Sequence, residues 1–112
     1  MRCEYCHLHQ DASPRAVLHI EHIRPRKHGG ADDLENLCLA CIDFNLHKGP
    51  NLTGIDPLTG AVTELFHPRL QSWNDHFSWK CICIISNTAI GRTTIQVLNM
   101  NSADQLDLRA AE

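Results

Sequence analysis

His19-Ile20-Glu21-His22-Ile23-Arg24-Pro25, followed by Gly29-Gly30, Asn36-Leu37 and Phe44-Asn45-Leu46-His47-Lys48-Gly49, sets the architecture of this chain. Ala16 to Ile23 is apolar and rich in β-branched residues, which reads as a strand. Pro25 cannot donate to a ladder and holds Arg24 extended, so the strand stops there. Neighbouring side chains on a strand point to opposite faces, so Glu21 and His22 share one site only if the strand ends or twists at them. Lys27 to Asp33 is a polar loop containing two glycines, and Leu34 to Ala40 carries a second strand led by Asn36. An asparagine in such a place commonly caps a turn. Its amide is expected to tie the loop backbone and keep His22 aimed. Cys41 to Lys48 is a short helix, stopped by Gly49 and Pro50. On it Cys41, Asn45 and Lys48 share one face.

Cys3-Glu4-Tyr5-Cys6 stands ahead of this strand–loop–strand–helix pattern. Together they resemble the HNH (His-Me finger, ββα-metal) endonuclease family, in its bacterial type with an N-terminal Cys-x2-Cys. The resemblance runs from Cys3 to Gly49. It implies an α+β fold, with a ββα-metal motif and zinc-knuckle half over residues 1–56. A mixed α/β C-terminal extension, 57–112, would pack on the motif in a single compact domain. It implies a metal-dependent endonuclease acting on DNA, with RNA left open as a substrate.

The chemistry of the residues agrees with that implication. A neutral imidazole, with pKa near 6.5, is matched to taking a proton from water at neutral pH, which is the role given to His22. Magnesium or manganese can stabilise the scissile and leaving oxygens together. The resemblance assigns that ion to Glu21 and Asn45, and places Asn36 on the middle Asn of the motif. Arg24, Arg26 and Lys27 cluster beside the site and, with Lys48, are expected to contact phosphates. Two positions depart from the family pattern: Glu21 stands where an aspartate is usual, and Phe44 where a cysteine is usual.

The second departure touches a structural zinc site. Relatives join the knuckle to the helix start through four cysteines, here matched by Cys3, Cys6, Cys41 and Phe44. Phenylalanine cannot ligate, so Cys38 is the expected fourth ligand, because Cys38-x2-Cys41 has knuckle spacing. That choice needs a bend near Ala40, since the two start on opposite strand faces. His7, His9 or His47 could complete the set instead, or Phe44 could pack where a metal would sit.

With 112 residues the chain is one domain with a small core, a size that often recruits a metal. Its net charge of −3 argues against a generic nucleic-acid coat, and neither half is basic. No apolar run approaches the ~18 residues of a membrane span, and no signal-peptide core follows Met1. An intracellular, cytoplasmic protein without membrane contact is the expectation, and there six cysteines suggest metal or buried thiols.

Beyond Asn51 the pattern carries structure more than chemistry. Asp56 to Gly60 is a turn and Ala61 to Phe66 a strand. Trp73 and Phe77, four apart within Arg69–Trp79, read as helix core before base-stacking platform. Lys80 to Ser86 is a strand with Cys81 and Cys83 as buried thiols on one face. Thr88 to Met100 is a helix with Ile90, Thr94, Val97 and Leu98 inward, and Ser102 caps a last helix. The rival to a nuclease is a non-catalytic nucleic-acid-binding or interaction module on the same scaffold. A thiol-redox protein lacks the βαβ surroundings its Cys-x2-Cys would need.

Overall fold

β1 (Leu18–His22) and β2 (Leu37–Cys41) form an antiparallel pair, with Leu18 opposite Cys41, Glu21 opposite Cys38 and His22 opposite Leu37. The computed structural model describes Met1–Glu112. β1 is shorter than the apolar run around it and stops at His22, as Pro25 requires. The link between the strands holds two short 3-10 turns, Arg26–His28 and Leu34–Asn36. Asn36 closes the second turn and does not open a strand, so the expected second strand begins three residues late.

That asparagine knits the link together. Its Oδ1 accepts from the Arg24 amide at 2.8 Å, and its Nδ2 donates to the carbonyls of Arg24 at 3.0 Å and Ala31 at 2.8 Å. Gly30 lies so close that a Cβ there would stand 1.7 Å from the Arg24 carbonyl oxygen. Only glycine allows this approach.

α1 (Ile42–Lys48) starts where β2 ends, with Cys41 both the last strand residue and the helix N-cap. Gly49 closes it at φ 49°, its amide donating to Asn45. The N-terminal segment folds back on itself through the Arg2–His9 bridge. It docks on β2 where the Glu4 amide donates to Leu39.

The second half adds β3 (Thr53–Ile55) and β4 (Val62–Glu64), a one-turn helix α2 (Trp73–His76), β5 (Ser78–Lys80) and β6 (Cys83–Ile85), then α3 (Ala89–Leu98) and α4 (Ala103–Ala110). Each strand pair is its own two-stranded antiparallel sheet. Side-chain caps start both long helices: Thr88 accepts from Gly91 N at 3.0 Å and Ser102 from Gln105 N at 3.2 Å. α3 packs on α1, β3, β4 and β6. The core joins Tyr5, Leu8 and Phe44 of the first half to Phe66, Phe77, Leu98 and Met100 of the second. Phe66 meets Tyr5 and Phe77 edge-on, at centroid separations of 6.4 and 5.1 Å.

Two expectations need correcting. The helix read from Trp73 and Phe77 is a single turn, Trp73–His76, although Phe77 does reach the core. Lys80–Ser86 is not one strand. It turns back at Cys81-Ile82, pairing Lys80 with Cys83. A two-residue hairpin turn calls for positive φ, and Cys81 takes it at 55° with its thiol exposed; Cys83 is half-buried.

Candidate active site and thiol cluster

Glu21, His22 and Asn45 come together around one open cavity of about 400 Å³, with Arg26 and Lys27 at its rim. Because β1 ends at His22, consecutive side chains that would diverge along a strand both reach it. Asn45 comes from the middle of α1, which β2 delivers to the same place.

His22 is held at the far side by Asp32, a residue the sequence reading passed over. The His22 Nε2 lies 2.7 Å from Asp32 Oδ1, which also accepts from Arg26 Nε at 3.1 Å. A carboxylate only accepts, so Nε2 carries the proton and Nδ1 keeps the free lone pair. The bond to His22, with Arg26 beside it, holds the Asp32 carboxyl below its ordinary range.

Glu21 is only 3% exposed. Its Oε2 accepts from the Tyr5 hydroxyl at 2.7 Å and from the Cys38 thiol at 3.4 Å. Its Oε1 is buried without a hydrogen bond, 3.8 Å from Lys48 Nζ. Burial pushes its carboxyl above the usual carboxylate range, against the opposing pull of Lys48 and the Tyr5 hydroxyl. An orphaned carboxylate oxygen and an amide oxygen on one cavity are hard donors, and this pair fits a divalent cation. Tyr5 also escaped the sequence reading. Lying between the two knuckle cysteines, it gave no sign that its hydroxyl would end on Glu21.

The remaining site residues divide. Arg24, Arg26 and Lys27 are exposed on the link, as a phosphate-contacting role needs. Lys48 is not: at 2% exposure its ammonium donates to the carbonyls of Ile23 at 2.9 Å and His22 at 3.4 Å. The expected phosphate contact at Lys48 is therefore corrected. Its long stem runs inward and its donors are spent on the end of β1 and on Glu21.

The thiols of Cys3, Cys6 and Cys41 form a second cluster, their sulfurs within 4.8 Å of one another. All are buried, and Cys6 and Cys41 approach to 3.6 Å. Hydrogen bonding to Cys3 raises the Cys6 thiol to about 12. Burial raises the Cys3 thiol, but its hydrogen bonds with Cys41 and Cys6 outweigh this and leave it below its ordinary range. Three soft sulfur donors suit zinc, one short of the closed set of four that structural sites use.

Cys38 does not supply the fourth, which corrects the expectation for it. It faces Glu21 across the β1–β2 ladder and its thiol is engaged there. No bend near Ala40 turns it, because β2 runs regularly to Cys41. Phe44 lies fully buried in the surrounding core. His7 stacks on Trp73 at 4.4 Å and stays outside the thiol group.

The family model described as HNH endonuclease matches residues 3–50, from the knuckle to the end of α1. No curated protein and no solved structure matches the chain. With Cys3 and Cys6 in place at the head of that segment, residues 3–50 are similar to the HNH endonuclease family.

Proposed function

We propose that this protein is a metal-dependent endonuclease that hydrolyses DNA phosphodiester bonds, with β1, β2 and α1 as its ββα-metal unit. The observation that carries the reading is the convergence of His22, Glu21 and Asn45 on one cavity, with Glu21 Oε1 free of hydrogen bonds and 3.8 Å from Lys48 Nζ. Magnesium or manganese, held by Glu21 and Asn45, would supply charge stabilisation at the phosphate and leaving oxygens. His22 Nδ1 takes the proton of the attacking water, and Asp32 steadies the imidazolium that results. Asn36 fixes the link so that His22 keeps its aim. Arg24, Arg26 and Lys27 draw the phosphate backbone to the rim. Cys3, Cys6 and Cys41 would hold a structural zinc. Residues 1–56 form the nuclease motif in this reading, and 57–112 an extension that supports it.

A non-catalytic nucleic-acid-binding module is the second reading. What favours it is the burial of Glu21 and its engagement by Tyr5 and Lys48, which compete with a cation for the carboxylate. Plasmid nicking with magnesium or manganese, against an EDTA control, separates the two. His22→Ala is expected to lose about 10²–10⁴ of the rate while folding normally. Unchanged metal-dependent nicking by folded His22→Ala would remove the catalytic assignment.

A further inference from the structure

A second cavity is larger than the one that holds His22. About 490 Å³ in volume, it opens between the end of α1, β4 and the segment 65–71, on the other side of Ile23 and Arg24. Its size falls in the range of roughly 300–1,000 Å³ typical of small-ligand pockets. Leu52 and Leu70 give it apolar walls above the buried Leu65 and Phe66, and Leu70 is left 80% exposed.

The rim is polar and its donors are not used up. His67 Nδ1 accepts from the amides of Arg69 at 3.1 Å and Leu70 at 3.2 Å, so its proton sits on Nε2. Gln71 Oε1 accepts from the His67 amide at 2.9 Å, which leaves the Gln71 Nε2 donors free. Glu64 adds a carboxylate acceptor to the same lining. Apolar walls with free donors and an acceptor at the edge suit a flat heterocycle with a hydrogen-bonding rim. Arg24 shares this lining, and only its Nε is spent, on the His28 carbonyl at 2.6 Å. It lies two residues from His22, roughly 6–7 Å of extended chain.

We infer that this cavity binds one unstacked nucleobase of the substrate, with the adjoining phosphate on Arg24. This rests on the nuclease reading and deepens it: the substrate has a base free to leave the stack, as in single-stranded or distorted nucleic acid. Apolar walls accept any base face by contact, and the polar rim tunes the choice.

The test is binding without added magnesium or manganese, and the mononucleotides used have no internucleotide bond to cleave. Amide chemical shifts are followed while the four deoxynucleoside 5′-monophosphates, and separately deoxyribose 5-phosphate, are titrated in. The nucleotides should move the amides of Leu52, Leu65 and Leu70. The sugar phosphate should move only those near Arg24. Leu70→Asp, an exposed change that leaves the core alone, should weaken nucleotide binding by about five-fold or more. Equal shifts from the sugar phosphate, or cavity amides that no nucleotide moves, would overturn the proposal even if cleavage depends on His22. Nucleotide shifts at the cavity beside His22-independent cleavage would instead leave the proposal standing and remove the catalytic reading.

Discussion

Lys48 carries the sharpest lesson at the scale of single residues. Placed on the same helix face as Asn45, it read as a cation for phosphate, yet its ammonium is spent on the Ile23 carbonyl and on buried Glu21. A lysine this enclosed holds the end of β1 against α1, and so fixes the distance between His22 and Asn45. Removing one partner of a buried ion pair commonly costs about 3–5 kcal/mol. Lys48→Ala should therefore lose stability on that scale in urea unfolding. The double variant with Glu21→Gln should recover part of the loss, because no unpaired carboxylate is left. The salt dependence of DNA binding should stay as in the wild type. A stable Lys48→Ala protein whose salt slope drops by about one would show that Lys48 reaches phosphate after all. Glu21 is the companion case. Its Oε2 is held by the Tyr5 hydroxyl, while its Oε1 faces Lys48 without a hydrogen bond.

At the scale of elements, the knuckle, β2 and α1 meet at the three thiols, with Cys41 joining the strand to the helix. Protein purified without chelator is expected to hold about one zinc per chain by elemental analysis. Cys41→Ser should abolish it, whereas Cys38→Ser and Cys83→Ser should not. Zinc-free protein that is folded and cleaves DNA would mean that Phe44 and the surrounding core make this junction alone. The first-half elements were legible because local chemistry fixes them: Pro25 ends β1, Gly49 ends α1, and Asn36 closes a turn. Their tertiary partners were not. Nothing in Cys38-x2-Cys41 says that one thiol faces Glu21 and the other Cys3, since that depends on which strand pairs with which. Tyr5 and Asp32 were missed for the same reason: each acts across the fold, over 16 and 10 residues of chain. In the second half, the aromatic spacing of Trp73 and Phe77 overstated a helix. Phe77 packs on Phe66 and Trp73 on Phe77 after a single turn.

For the whole molecule, the extension is tied to the motif by α3, which packs on the helix bearing Asn45. α3 is in turn pinned to the β3–β4 hairpin by one ion pair. Arg92 donates to Asp56 through Nε at 3.0 Å and through its terminal nitrogen at 2.8 Å, a two-pronged contact. Asp56 also accepts from the Leu58 amide and the Thr59 hydroxyl, each at 3.0 Å, so the turn and the helix share one carboxylate. The Arg92 guanidinium holds that carboxyl well below the usual range. A carboxyl whose folded pKa is depressed binds its proton more readily once the chain unfolds. Its stabilisation is present above the unfolded value, about 3.9, and is lost as pH falls through the lower folded value. Asp56→Asn should thus melt below the wild type at pH 7, with the gap narrowing only under about pH 4. Glu21, raised by burial, works with the opposite sign, so Glu21→Gln should compare more favourably with the wild type as pH rises above the ordinary carboxylate range. Melting curves for the wild type and Asp56→Asn from pH 7 down to pH 2 decide the matter. A gap that stays constant across that span would mean the Asp56 charge contributes nothing to holding the hairpin on α3.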